Sequence, residues 1–195
     1  MKTTQKIQRQ EKILLSLAKL TYAMIEQLQI IEDLKGYRNA HRILYEMEKD
    51  KLICSVRHDK KIYYVTNKGN DLIGNGNTKL SKSEIQHTLM RNDLYIHFGI
   101  PVSWKKEAPV IINGKIVLIS DARFKRNNCY YFVEIDNKQA MRTNYEKIKK
   151  YSEIFKVIRK QFNYNPVLIW YTLSDVRKER LIKECQRNAV SYQMF

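Results

Sequence analysis

The chain has 195 residues, and its 36 Lys and Arg against 20 Asp and Glu give a formal net charge of +16. This positive excess attracts polyanions, so nucleic acid is the first partner to consider and an anionic membrane surface the second. With 44% hydrophobic residues, 6 Gly and 3 Pro, the chain has enough apolar side chains for a core, which excludes a disordered basic tail, a collagen and a Pro-rich segment.

The cysteines give no sign of a metal site or a disulfide framework. Cys54, Cys129 and Cys185 are far apart and form no C-x-x-C pair, which argues against both. No stretch approaches the roughly 18 apolar residues of a membrane-spanning helix, and the first ten residues have no apolar signal-peptide core. We therefore expect a cytoplasmic protein that does not enter a membrane.

The N-terminal part predicts three helices. Apolar residues recur at three- and four-residue spacing from Ile13 to Leu20 and from Ile25 to Ile31, with an interruption around Thr21 to Ala23. Gly36 ends this run. A third amphipathic helix follows, and its apolar face consists of Ala40, Ile43, Leu44 and Met47. The rest of that helix is polar and carries side chains suited to DNA.

A β-hairpin follows the third helix. The β-rich segments Leu52 to Val56 and Ile62 to Thr66 flank a charged turn, Arg57 to Lys61. The one turn-rich cluster of the chain lies around Gly74 to Thr78, so we place a boundary there. The predicted organisation is a first domain at 1–76, a linker at 77–86 and a second domain at 87–195.

Three helices followed by a hairpin resemble the winged helix-turn-helix family. The local patterns that carry the resemblance are Ala40-x-Arg42-x-Leu44, Lys51-Leu52-Ile53 and Tyr63-Tyr64-Val65-Thr66-x-x-Gly69. The resemblance implies that the third helix enters the major groove of DNA and that the hairpin, or wing, contacts backbone phosphates. The implied DNA contacts are Tyr37, Arg38, Asn39, His41 and Arg42 on the helix, and Arg57, Lys60 and Lys61 in the wing. The alternative is that these side chains form an ordinary solvated face, and winged helices also mediate protein contacts.

The second half alternates between helices and strands in the order αβββαβα. The predicted elements are a helix from Ile85 to Phe98, strands from Val102 to Ile112, Lys115 to Ser120 and Cys129 to Ile135, a helix from Thr143 to Gln161, a strand from Val167 to Leu173 and a helix from Asp175 to Asn188. Asn113-Gly114 is a strong hairpin signal, and Asp121 stands where the second strand is expected to end. This order predicts an α/β sandwich with a mixed sheet.

The same order resembles the restriction-endonuclease-like fold, and Asp121, Glu134 and Asp136 fall where such enzymes keep their Mg²⁺ ligands. Glu134 and Asp136 share one face because the side-chain period of a strand is two. Glu134-Ile135-Asp136 stands in place of the Glu-x-Lys of those enzymes, so the lysine that orients water would be Lys138 or Lys147. The alternative is that these carboxylates form turns or pair with nearby lysines.

Nearly the whole chain resembles the replication-relaxation proteins of plasmids and integrative mobile elements, which join a winged helix to an endonuclease-like domain. The motifs that carry this resemblance are His87-x-Leu89-x-x-Asn92-Asp93-Leu94, Ile116 to Ile119 with Asp121, Tyr131-Phe132-Val133-Glu134-Ile135-Asp136, Lys147-Ile148-x-x-Tyr151, Pro166 to Tyr171, and Ser174-x-x-Arg177. The resemblance implies DNA binding linked to plasmid replication, relaxation or conjugative transfer.

Two functions of different classes follow. The first is a non-enzymatic protein that binds double-stranded DNA of a mobile element, needs no cofactor and carries a degenerate nuclease-like domain. The second is a Mg²⁺-dependent DNA nuclease or nickase that uses Asp121, Glu134 and Asp136. The expected partners are double-stranded DNA and replication or relaxase proteins of the same element, and a homodimer would suit two DNA half-sites.

Overall fold

The structure of the protein is a computed structural model that describes residues 2–76 and 81–195. The chain divides into two compact units, with the boundary between His97 and Phe98. Residues 77–80 of the expected linker lie outside the described residues. The end of that linker already has regular structure, since Lys82–Glu84 form a turn of 3-10 helix and Ile85 begins an α-helix.

The first unit contains the predicted helices and hairpin. Its described elements are α1 (Lys2–Leu20), β1 (Ala23–Met24), α2 (Ile25–Ile31), α3 (Tyr37–Lys49), β2 (Ile53–Arg57), β3 (Lys61–Val65), α4 (Asn67–Leu72) and α5 (Ile85–His97). The three strands form an antiparallel sheet in the order β1-β3-β2. The predicted apolar face of α3 is buried, as are Ile13, Leu14 and Leu17 of α1, so the periodicity identified the core correctly.

The start of α4 explains the Thr66-x-x-Gly69 pattern. The Thr66 hydroxyl accepts a hydrogen bond of 3.1 Å from the Gly69 amide and so caps the helix. A Cβ atom on Gly69 would lie 2.2 Å from the Leu52 carbonyl oxygen. Only glycine fits this close approach of α4 to the hairpin.

Helix α5 packs within the first unit. The buried Gln27 side chain donates to the Leu89 carbonyl at 3.0 Å and to Asp93 at 2.7 Å. Asn92, also buried, donates to the Tyr22 carbonyl at 2.7 Å. The boundary between compact units therefore falls after α5, so residues 87–97, which were predicted for the second domain, belong to the first unit.

The second unit is built on a five-stranded mixed sheet. Its described elements are β4 (Lys105–Ile112), β5 (Lys115–Arg126), β6 (Cys129–Asp136), α6 (Met141–Phe162), β7 (Val167–Thr172), α7 (Asp175–Arg187) and β8 (Tyr192–Met194). The strand order is β4-β5-β6-β7-β8. The pairs from β4 to β6 are antiparallel and those from β6 to β8 are parallel, so the predicted mixed α/β character is confirmed.

Two details of the second unit differ from the prediction. The expectation that a strand ends before Asp121 is wrong, because β5 continues to Arg126 and Asp121 lies inside it. Ala122 and Phe124 extend the buried row of β5 while Arg123 and Lys125 alternate with them, so the alternation of the strand continues beyond Asp121. The short strand β8 was not predicted.

Helices α6 and α7 cover one face of the sheet and build its main core. Phe132 and Trp170 from the sheet pack with Tyr151 and Phe155 of α6 and with Leu181 of α7. The apolar side chains on the face of α6 that meets this core are all buried, namely Ile148, Tyr151, Ile154, Phe155 and Ile158. Of the helices in the described ranges, none is long and apolar enough to cross a bilayer.

Candidate functional site

A groove of about 720 Å³ opens in the first unit between the start of α3 and the β2–β3 hairpin. Five of the predicted DNA contacts line it, namely Tyr37, His41, Arg57, Lys60 and Lys61. Tyr37 and His41 are four residues apart on α3 and so share a side of the helix, with ring centroids 6.4 Å apart. The two predicted groups, helix and wing, therefore meet at one surface.

Two of the three cations of this groove, Lys60 and Lys61, have acidic partners that were not predicted from the sequence. Lys60 Nζ lies 2.9 Å from Glu26 Oε1, and Lys61 Nζ lies 2.6 Å from Glu48 Oε2. Burial alone would raise the pKa of Glu26, but the hydrogen bond and charge of Lys60 outweigh it and lower the pKa below its ordinary value. Such solvent-exposed pairs contribute about 0–1 kcal/mol, so a phosphate can replace the carboxylate at little cost.

The other three helix candidates lie outside this lining. Arg38 is exposed. Arg42 donates to Asn39 Oδ1 at 3.0 Å and to Glu46 Oε1 at 2.7 Å, while Asn39 donates to the Leu34 carbonyl at 3.0 Å. Asn39 therefore stabilises the turn between α2 and α3. Glu46 partly neutralises the charge of Arg42 on the helix surface.

In the second unit, Glu134 is at the centre of a buried cluster. Its side chain is 0% exposed and accepts two hydrogen bonds of 2.6 Å, one from Lys147 Nζ and one from the Tyr151 hydroxyl. Lys147 and Tyr151 are four residues apart, so they project from one side of α6 toward β6. Of the two lysines considered for this site, Lys147 contacts a carboxylate and Lys138 is exposed.

The pKa values of the three groups in this cluster are all raised. Burial, together with the charge of Asp121, raises the pKa of Glu134 to about 8. Burial and then the charge of Glu134 raise the pKa of Tyr151 well above its ordinary value. Burial alone would lower the pKa of Lys147, but the charges of Glu134 and Asp121 outweigh it and raise that pKa. Each group therefore binds its proton more tightly than it would in water.

Asp136 is the second fully buried carboxylate, two residues along β6. Arg177 of α7 binds it with two nitrogens, Nε donating to Oδ2 at 2.6 Å and a terminal nitrogen donating to Oδ1. Asn144 of α6 donates to the same Oδ1 at 2.8 Å. This bidentate geometry is the strong form of an Arg–carboxylate pair.

Asp121 lies close to this cluster on β5. Its Oδ2 accepts a hydrogen bond of 2.7 Å from the Ile135 amide of β6, just beyond the last ladder pair between the strands, Ala122 with Val133. Within residues 2–76 and 81–195, no group of three His, Cys, Asp or Glu side chains is arranged to hold a metal ion. Because Lys147 and Arg177 occupy the approach to Glu134 and Asp136, the donor set does not fit Mg²⁺, which needs free carboxylate oxygens.

A sequence profile of the replication-relaxation family matches residues 14–168. The chain belongs to the replication-relaxation family. This family points to a role in the replication or relaxation of plasmid or mobile-element DNA. No curated protein matches the chain significantly.

The segment matched to the replication-relaxation family contains the groove of the first unit and most of the buried cluster of the second. It runs from α1 into β7 and so includes the groove residues and the carboxylates with Lys147 and Tyr151, whereas Arg177 lies beyond it. The sequence motifs already contained Tyr151 and Arg177, but their partners became visible only in the fold. Asn144 carried no signal in the sequence.

Proposed function

We propose that this replication-relaxation protein binds double-stranded DNA of a plasmid or integrative mobile element through the first unit, as a non-enzymatic factor in replication or relaxation. The observation that carries the proposal is the single groove lined by Tyr37 and His41 of α3 and by Arg57, Lys60 and Lys61 of the hairpin. Aromatic and imidazole side chains beside three cations suit a surface that meets base edges and phosphates together.

The arrangement of the first unit supports a winged helix-turn-helix. In this proposal α2 and α3 form the helix-turn-helix, α3 is the recognition helix and the β2–β3 hairpin is the wing. The short β1 strand, which pairs with β3, joins the wing to the beginning of α2. Arg38 and Arg42 lie on the exposed part of α3, where arginine can read guanine in the major groove.

Duplex binding measured at several salt concentrations tests this proposal. Arg57→Ala and Lys60→Ala are expected to weaken binding evenly across sequences and to reduce the slope of log K against log salt by about one unit each. Lys68→Ala is the matched control, because Lys68 is exposed in the same unit but does not line the groove. Unchanged affinity in both wing variants would contradict the proposal.

We further propose that the second unit has no nuclease activity. The support is the pairing of Glu134 with Lys147 and Tyr151 and of Asp136 with Arg177 and Asn144. These contacts turn the carboxylates into parts of the core that tie α6 and α7 to β6. In this proposal, Glu134 and Asp136 stabilise the fold of the second unit and take no part in a reaction.

Nicking of supercoiled plasmid separates this proposal from the nuclease alternative. We expect no nicking in Mg²⁺ or in EDTA. Nicking that requires Mg²⁺, is lost in Asp121→Ala and survives in the control Asp71→Ala, an exposed residue, would establish the nuclease instead.

A further inference from the structure

A second basic surface lies on the other unit, at the end of the sheet where α6 terminates. We define the aromatic–basic patch as Arg123 and Lys125 of β5, Tyr130 of β6, and Phe162 and Tyr164 at the end of α6 and beyond it. Helix α6 ends at Phe162, and the left-handed Asn163 (φ 54°) turns the chain, a conformation that asparagine tolerates well. The turn brings the Tyr164 ring next to Tyr130 of β6 and leaves the Phe162 ring beside Tyr164.

The rings of the patch form a continuous row. The Tyr130 and Tyr164 centroids are 6.5 Å apart, and those of Tyr164 and Phe162 are 6.1 Å apart. Phe162, at the outer end, is 58% exposed. A large apolar ring in water at the end of an aromatic row is a platform on which another flat ring can stack.

Two cations border the same row. Lys125 Nζ lies 4.5 Å from the centroid of the Tyr130 ring, and the Arg123 guanidinium carbon lies 5.2 Å from it. Neither side chain forms an ion pair with any carboxylate in the described part of the chain. Their positive charge is therefore available to a ligand, unlike that of Lys60 and Lys61.

The segments that build the patch contain no acidic residue. Residues 122–133 and 154–174 include no Asp or Glu. They contribute these basic residues: Arg123, Lys125, Arg126, Lys156, Arg159 and Lys160. A field of one sign beside the exposed Phe162 ring and the partly buried rings of Tyr130 and Tyr164 is complementary to a ligand that carries both anionic charge and flat bases.

We propose that the aromatic–basic patch binds single-stranded DNA, with bases stacked from Phe162 along the aromatic row and phosphates held by Arg123 and Lys125. A duplex keeps its bases stacked on one another and offers only phosphates to this surface, which would leave Phe162 in water. The unpaired bases of a single strand can stack on the Phe162 ring and so cover it. The choice of DNA rests on the replication-relaxation role, while the stacking site itself does not depend on the winged helix.

Fluorescence anisotropy with the full chain and a labelled oligothymidylate of roughly 16 nucleotides tests the proposal. Phe162→Leu, which keeps an apolar side chain but removes the ring, is expected to weaken binding about tenfold, and Phe162→Tyr to retain it. Leu173→Ala, a similarly exposed apolar position, is the matched control. Lys125→Ala should weaken binding and lower its salt dependence, whereas Lys183→Ala should not.

A duplex probe measured in parallel separates this site from the proposed winged helix. Phe162→Leu should leave duplex binding unchanged, while Lys60→Ala should weaken it and leave oligothymidylate binding within about twofold. Equal affinity of Phe162→Leu and wild type for oligothymidylate overturns the stacking site. An equal loss for duplex and single strand overturns its single-strand preference, and tighter binding of oligouridylate than of oligothymidylate overturns the assignment to DNA.

Discussion

Lys147 of α6 donates a 2.6 Å hydrogen bond to Glu134 of β6, although the Glu134 side chain has no access to solvent. Burying a carboxylate is costly unless an opposite charge and hydrogen bonds accompany it. Lys147, which is partly exposed, and the Tyr151 hydroxyl compensate this cost only in part, because the pKa of Glu134 stays raised. The pair therefore ties α6 to the middle of the sheet and makes the stability of the second unit depend on protonation.

Glu134→Gln should change how stability depends on pH. The folded-state pKa of about 8 lies above the ordinary value of 4.5, so between these pH values the folded chain holds a proton that the unfolded chain releases. This contribution is complete below pH 4.5 and is lost as pH rises through 8. Glutamine removes the effect. The free energy of unfolding in urea should therefore fall more steeply for wild type than for the variant from pH 5 to 9, by on the order of 2 to 4 kcal/mol.

Glu146→Gln is the control for this measurement, because Glu146 lies on the same helix and is exposed. Its pH profile should run parallel to that of wild type. If the Glu134→Gln profile is parallel as well, Glu134 is ionised throughout this range and Lys147 alone compensates it.

Arg177→Met should destabilise the second unit strongly. It removes the bidentate partner of Asp136, whose carboxylate is fully buried, and leaves the Asn144 amide as a donor to it. Breaking such a buried pair costs about 3–5 kcal/mol. Arg142→Met is the matched control, because the Arg142–Glu146 pair is exposed and contributes no more than about 1 kcal/mol. Urea unfolding that gives equal losses for the two variants would show that Arg177 does not compensate a buried charge.

Gly69→Ala should destabilise the first unit, although alanine ordinarily favours a helix by up to about 1 kcal/mol over glycine. The added Cβ would lie 2.2 Å from the Leu52 carbonyl oxygen and 2.8 Å from a Val65 methyl group. Overpacking of this kind costs about 1–3 kcal/mol. Thermal unfolding followed by circular dichroism measures the effect, with Gly76→Ala as control because its added methyl meets no atom within 4 Å. A stabilised Gly69→Ala variant would contradict the close approach of α4 to the hairpin.

Local sequence patterns predicted the elements whose own residues determine them. The faces of α3 and α6 follow from apolar spacing, and Asn113-Gly114 forms the expected turn with both φ angles positive. Strand β8 could not be predicted, because its three residues gain their conformation from parallel pairing with β7. The packing of α5 in the first unit could not be predicted either, since it involves contacts such as the hydrogen bond from Gln27 to Leu89, 62 residues apart in sequence.

At the candidate sites, too, spacing within one element could be predicted, whereas contacts between residues far apart in sequence could not. The two-residue spacing of Glu134 and Asp136 correctly placed them on one face of β6, and Lys147 was one of two lysines proposed to join them. The sequence could not show that Arg177, 41 residues from Asp136, neutralises that carboxylate. Nor could it show that Glu26 and Glu48 on neighbouring elements pair with the wing lysines.

Removing the carboxylates that face the proposed DNA surface should strengthen duplex binding. Glu26 pairs with Lys60, and Glu46 pairs with Arg42 and Lys6. In Glu26→Gln and Glu46→Gln these cations keep their positions but lose a competing anion, so each change should raise duplex affinity several-fold at low salt and steepen its salt dependence. Glu11→Gln, an exposed position on α1, changes the net charge equally and measures the general effect. If all three variants gain the same affinity, net charge alone explains the gain, and α3 and the hairpin are not the surface that meets the duplex.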